Sequence, residues 1–190
     1  MSSKEVFITS ACRTAIGSLN KSLKDVSAEK LGSAVINESV IKSKIEKKEI
    51  DEIILGQVLT GGAGQNPARQ AALKSGLPIT VPAYIVNQVC GSGLRSIASG
   101  VQSILSGDSK LIIAGGQENM SLAPHAIHLR NGTKLGNAQV IDTMIKDGLW
   151  DAFNDYHMGI TAENVAEKFQ VTRDEQDLFA LKSHEKALKA

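Results

Sequence analysis

The stretch Asn87-Gln88-Val89-Cys90-Gly91-Ser92-Gly93-Leu94-Arg95-Ser96 decides how this chain is read. A β-like run, Ala83-Tyr84-Ile85-Val86, enters it, and a helix-like run from Leu94 to Leu105 leaves it. Cys90 therefore falls where a strand turns into a helix. Gly91 and Gly93 are expected to supply the backbone freedom of that turn and to keep side chains away from an approaching ligand. A thiol at a helix start feels the partial positive charge of unpaired backbone N–H groups, which favours the thiolate. The thiolate is the nucleophilic form, so Cys90 is the first candidate for chemistry. The bland alternative is a small buried hydrophobe, which is what most single cysteines are.

Working outward, the pattern alternates. Val6-Phe7-Ile8-Thr9 reads as a buried strand. A helix is expected from Ala28 to about Ile45, capped by Ser27, with Glu29 in its first turn. Ile53-Ile54-Leu55 begins a second strand, and Gly61 to Asn66 a loop. Pro67 suits the first position of the short helix that follows. Strands at Tyr84–Val86 and Leu111–Ala114 flank the third helix. Strand and helix in strict alternation predict an α/β fold, a mostly parallel sheet with flanking helices and right-handed crossovers. Ligands of such sheets gather beyond the carboxyl ends of the strands, where Cys90 and Gly115-Gly116 both lie.

After Ser121 the rhythm breaks. Pro124 to Ala138 reads as a long excursion, Val140 to Lys146 as a short helix, and Ala162 to Phe169 as another. Thr172-Arg173-Asp174-Glu175 is a capping-box sequence that opens a helix running on to the last residue. Ending inside an amphipathic helix is the expectation for an incomplete sequence.

Aromatic residues are only 4% of the 190, so the core must be aliphatic, as parallel sheets prefer. A net charge of +1 gives no support for a nucleic-acid or membrane-surface role. No run approaches the length of a membrane span and no apolar export signal opens the chain, so the cytoplasm is the expected location. There, Cys12 and Cys90 are expected to stay reduced, Cys12 as a structural residue.

Several blocks together resemble the thiolase family. They are Val89-Cys90-Gly91-Ser92-Gly93-Leu94, Gly62-Ala63-Gly64-Gln65-Asn66-Pro67-Ala68-Arg69-Gln70-Ala71, Ala114-Gly115-Gly116-Gln117-Glu118-Asn119-Met120-Ser121, Asp147 to Phe153, and Tyr156 to Asn164. They keep the family's order almost from end to end. Gln117 departs from it, since many relatives carry Met there. The segment Ala123 to Gly132 looks like the biosynthetic, cytosolic type that condenses two acetyl-CoA molecules.

The resemblance implies a thiolase-like N-terminal α/β domain over residues 1–121, carrying Cys90 as the nucleophile that becomes an acetyl thioester. Residues 122–190 would be part of a loop domain. Its Leu149, His157 and Met158 would line the channel for the pantetheine arm of coenzyme A. His157-Met158 is expected in a loop just before a helix start at Thr161. The family also implies a homodimer or tetramer, with His125 and His128 in the region of subunit contact. It implies no cofactor beyond the thioester substrates acetyl-CoA and acetoacetyl-CoA, no metal, no nucleic acid and no membrane.

Thiolases have a second, similar half, with an Asn-rich strand turn, a Gly-His-Pro histidine and a Cys-x-Gly cysteine. None of these occurs in the 190 residues. The alternative reading is thus a catalytically incompetent fragment, or one subunit of a split enzyme. A carrier-protein condensing enzyme shares the cysteine-at-helix logic, but the Tyr156-His157-Met158-Gly159 and Gly64 to Arg69 blocks favour thiolase.

Overall fold

The computed structural model describes residues 5–189. Three parallel strands, β1 (Glu52–Gly56), β2 (Ala83–Val86) and β3 (Ile112–Gly116), form a sheet in the order β2-β1-β3. Helix α1 (Ala28–Ser43) precedes them, α2 (Pro67–Lys74) joins β1 to β2, and α3 (Ser92–Ser106) joins β2 to β3. β1 is the central strand, and its Ile53, Ile54 and Leu55 are buried whichever face they point to. That accounts for an unbroken apolar run rather than an alternating one.

The two faces are covered differently. Ile53 and Leu55 point into a core built with Ile36 and Val40 of α1 and Ala68, Ala71 and Ala72 of α2. Alanines on α2 let α1 pack closely against it. Gly56, Ala114 and Gly116 point the other way, toward α3. The core holds Ile, Val, Leu and Ala, as the low aromatic content requires.

A charged clasp links the two helices on the first face. Lys74 of α2 lies 2.6 Å from Glu29 of α1, and the Ser27 hydroxyl donates to the same carboxylate. Ser27 is the helix-capping residue by position, yet its side chain serves Glu29 rather than a backbone N–H. Burial pushes the Glu29 carboxyl up, but the bonds from Lys74 and Ser27 push it down by more, so it lies below its ordinary 4.5. A depressed carboxylate stabilises the fold above its unfolded value and loses that contribution as acid protonates it. The melting temperature of the wild-type chain is therefore expected to fall more steeply with acidification below about pH 4.5 than that of Glu29→Gln. Parallel curves for the two proteins would refute the clasp.

Val6–Thr9 departs from expectation. It forms no strand, and among the described residues nothing pairs with the outer edge of β3. Its neighbours bond to α1 instead of to a ladder: Ser10 Oγ donates to the Ser39 carbonyl and Cys12 Sγ to that of Val35. Phe7 and Ile8 are left exposed, beside a cavity of 740 Å³ between this segment, α1, α3 and β3. The apolar run promised burial, but these residues do not supply cover for both its faces.

By contacts the chain divides into two compact units after Gly148. This division is drawn on a different footing from the boundary at residue 121, which rests on the family pattern. In the first unit, the excursion after Pro124 is closed at its base by a two-residue antiparallel pair, β4 (His125–Ala126) with β5 (Ile141–Asp142). The helix expected over Val140–Lys146 is corrected by this pairing. Asp142 accepts from the Met144 amide, so helical turns begin only at Met144, as a π-helical stretch to Leu149. In the second unit, α4 (Met158–Phe169) is followed by α5 (Arg173–Lys189). The Thr172 amide donates to Glu175 and the Glu175 amide to the Thr172 hydroxyl, which completes the capping box.

Candidate active site

The Cys90 turn is built from three sides. β2 delivers Asn87, and α3 begins two residues beyond Cys90. The bend itself lies at Val89, with φ of +50°. Left-handed backbone in a β-branched residue is a genuine outlier that costs on the order of 1–3 kcal/mol. Hydrogen bonds hold it there. The Val89 amide donates to Asn87 Oδ1 at 2.9 Å, while its carbonyl accepts from the Ser92 amide at 3.1 Å and the Ser92 hydroxyl at 2.6 Å. Ser92 Oγ also accepts from the Gln88 amide. The expectation that Gly91 and Gly93 supply the conformational freedom is thereby corrected: neither has a positive φ, and the valine carries the turn.

The glycines that matter for placement are on the sheet. A Cβ on Gly56 would lie 2.4 Å from the Ser92 carbonyl carbon and 2.6 Å from the Gly93 nitrogen. The helix start thus rests directly on the end of β1. Ser96 fastens the next turn, its hydroxyl donating to the Gly93 and Gly115 carbonyls. Ser92, Ser96 and Gly100, spaced by four, form the buried stripe of α3. Its larger residues Leu94, Ile97 and Leu105 stay exposed, so the helix docks through its small side.

Cys90 itself is exposed and unpaired, and Cys12 is also a free thiol. The turn's own bonds use the amides of Gly91 and Ser92 rather than that of Cys90. An exposed cysteine just before a helix N-terminus can act as a nucleophile, with a backbone amide at hand for developing charge.

The surrounding motif residues hold the approach to β2. Asn66, itself left-handed, accepts from the Arg69 amide as the cap of α2 and donates to the Ala83 carbonyl at the start of β2. Arg69 donates to the carbonyls of Ile79 and Val81 in the same connection. Gln70 gathers the glycine-rich loop through the Ala63 and Gln65 carbonyls. Beyond β3, the Glu118 carboxylate accepts from the amides of Val58 and Leu59. Burial raises its protonation range despite those bonds. Ser92, Asn87, Gly56 and Glu118 escaped the sequence reading as site-builders. The one signal present was the four-residue spacing of small side chains in α3.

The second unit holds the other candidates. Trp150 and His157 face each other in an isolated antiparallel bridge, and the Asp151 amide donates to the Tyr156 carbonyl at 2.8 Å. This closes the loop between them and brings the segment of Leu149 beside that of Met158. Both are half-buried, and His157 is exposed. His157 caps α4, its Nδ1 accepting from the Gly159 amide at 3.0 Å. The helix therefore starts at Met158, three residues before the expected Thr161. His125 lies 3.9 Å from Asp142 across the β4–β5 pair. Among the described residues no group of three or more His, Cys, Asp or Glu side chains is placed to hold a metal ion. No helix among them is long and apolar enough to cross a membrane.

Known proteins share this arrangement of sequence. The family model described as "Thiolase, N-terminal domain" matches residues 6–190. The chain is 58% identical to an acetyl-CoA acetyltransferase of Rhizobium meliloti, over 98% of its own length and 48% of that protein. It is 56% identical to an acetyl-CoA acetyltransferase of Pseudomonas aeruginosa, over the same shares of the two chains. Against the cytosolic acetyl-CoA acetyltransferase of Rattus norvegicus the identity is 51%, over 97% of the chain and 47% of the relative. The chain spans about half the length of the curated relatives it matches. With a match this continuous, and a strand-to-helix turn presenting Cys90 inside it, the chain belongs to the thiolase family, in its N-terminal domain.

Proposed function

We propose that this chain carries the nucleophile of an acetyl-CoA acetyltransferase, a cytoplasmic enzyme that joins two acetyl-CoA molecules reversibly into acetoacetyl-CoA and coenzyme A. The observation that supports it most is the exposed Cys90, held in a strained turn just before α3. The Cys90 thiolate attacks the thioester carbonyl carbon of acetyl-CoA, the carbon–sulfur bond to coenzyme A breaks, and coenzyme A leaves as a thiol after taking a proton. One thioester replaces another, so the exchange is nearly balanced and the acetyl group stays reactive. A second acetyl-CoA gives up a methyl proton to the Cys-x-Gly cysteine that the family carries in its second half. Its carbanion attacks the acetyl carbon on Cys90, and the cysteine departs as thiolate. The Cys90 amide, two residues before the start of α3, is the candidate donor to the acyl oxygen.

Leu149, His157 and Met158 receive the pantetheine arm, an alkyl chain interrupted by two amides that suits apolar walls with a single polar contact. The substrates are coenzyme A thioesters and no separate cofactor is invoked. The working form is a homodimer or tetramer, with the His125–His128 excursion in subunit contacts. The test is mass spectrometry after incubation of a full-length form with acetyl-CoA. The acetyl group is expected on Cys90, and an acetyl group found only elsewhere would overturn the assignment.

A second reading is favoured by one observation: the family's Gly-His-Pro histidine and Cys-x-Gly cysteine do not occur in these residues. On that reading the 190-residue chain is catalytically silent by itself, or is one subunit of a split enzyme. Purified alone, it is expected to cleave little or no acetoacetyl-CoA. Turnover comparable to that of intact relatives would defeat this.

A further inference from the structure

We propose that the cavity between β3 and the Val6–Thr9 segment is a slot for one β-strand, bonded along the outer edge of β3. Its occupant is an apolar extended segment of the second half, the part of the relatives that these 190 residues do not match. The inference rests on the reading that a second half completes the enzyme, and adds the place where that half enters.

Backbone geometry defines one wall. The Gln117 amide donates to the Gly56 carbonyl at 3.0 Å, so Ile113 and Gly115 turn their peptide groups to β1 in the same ladder. Successive residues of a strand turn to opposite edges, which leaves the N–H and C=O groups of Ile112, Ala114 and Gly116 facing the cavity. Among the described residues nothing pairs with that edge. Leu111 to Ala114 is an unbroken apolar run, the pattern of a strand inside a parallel sheet, yet it is only half-buried, unlike β1.

The opposite wall is held off β3. Ser10 and Cys12, two residues apart as on one face of a strand, bond to the Ser39 and Val35 carbonyls of α1. Glu5–Thr14 and Lys110–Glu118 line the cavity, with Val35 and Val40 of α1 on one face and Ile97, Val101 and Ile104 of α3 on the other. Its 740 Å³ compares with about 800 Å³ for a strand of roughly five residues, from the spacing of strands, the separation of packed layers and the rise per residue. Apolar helices on both faces call for an occupant apolar on both faces. The two walls admit a single extended chain rather than the edge of another folded domain. The relatives are about twice as long as the part matched here, which supplies chain for it.

The test follows amide hydrogen exchange in the 190-residue chain alone and after co-expression with the part of the Rhizobium meliloti relative that it does not match. Alone, the amides of Ile112, Ala114 and Gly116 are expected to exchange freely while those of Ile113 and Gly115 are protected. With the second half bound, the first three are expected to slow about 100-fold. Ala114→Pro removes an outward N–H without touching the β1 ladder, and its ring blocks the slot. It is expected to melt like the wild type and to bind the second half at least about tenfold more weakly. An Ala114→Pro chain that binds like the wild type overturns the proposal. Binding with the three amides still exchanging freely overturns the slot and leaves the split-enzyme reading standing, whereas no binding at all brings down both. Protection in the chain alone also overturns it. If that protection is independent of concentration, Val6–Thr9 has closed on β3, and if it rises with concentration, a second copy is the occupant.

Discussion

Gly56→Ala lowers the melting temperature of the chain by about 10 °C, the expected result of an overpacking cost of about 3 kcal/mol in a protein of this size. The added methyl would lie 2.4 Å from the Ser92 carbonyl carbon, closer than real Cβ atoms come to anything. Both partners are backbone, so no side chain can swing away. Either β1 or the first turn of α3 must move, and α3 is tied to β3 by the bond from the Ser96 hydroxyl to the Gly115 carbonyl. Displacing that turn also displaces Val89 and Cys90. Gly93→Ala is the matched control: nothing lies within 4 Å of its would-be Cβ. It is expected to leave stability unchanged or raise it by up to about 1 kcal/mol, as alanine replacing glycine in a helix does. Thermal melts of the two variants decide the matter. Equal melting temperatures would mean that the helix start does not rest on β1.

Cys90→Ser is expected to remove the acetyl-enzyme and slow acetyl transfer in a full-length form by roughly 10⁴-fold or more. The exchange of sulfur for oxygen is small in volume, and the site is exposed, so folding should be unaffected. What is lost is chemistry. A hydroxyl is not ionised near neutral pH as a thiol partly is, and an oxygen ester is a poorer acyl donor for the returning carbanion. Stopped-assay mass spectrometry gives the check: no acetyl group at residue 90, with an unchanged melting curve. A variant that still turns over near the wild-type rate would dismiss Cys90 as the nucleophile.

The sequence reading succeeded where local pattern and packing agree. Ile53-Ile54-Leu55 could only be a strand covered on both faces, and Pro67 after Asn66 marked a helix start that the structure places one residue on from its cap. It failed where long-range cover was assumed. Val6–Thr9 has the composition of a buried strand, but composition cannot say whether a neighbour will be there to pair with it. Ile141–Asp142 was hidden for a related reason. A two-residue strand has no periodicity, and its partner at His125–Ala126 is fifteen residues away. The Cys90 turn was legible in outline, whereas the residue bearing its bend was not. Glycine is the usual carrier of left-handed backbone, and two glycines were close by. That Val89 bears it depends on the hydroxyl of Ser92, three residues on, a contact that only the folded helix creates.

That valine sets two demands on one torsion against each other. Glycine or asparagine at position 89 would relax the backbone and make the domain sturdier, but it would also let the peptide swivel and the sulfur lose its bearing. A β-branched side chain narrows that rotation, since few torsions suit it and the surrounding bonds select one. Selection for durability and selection for aim thus pull this position in opposite directions, and a library screened for heat resistance alone would drift toward sturdier proteins whose thiol no longer faces a fixed way.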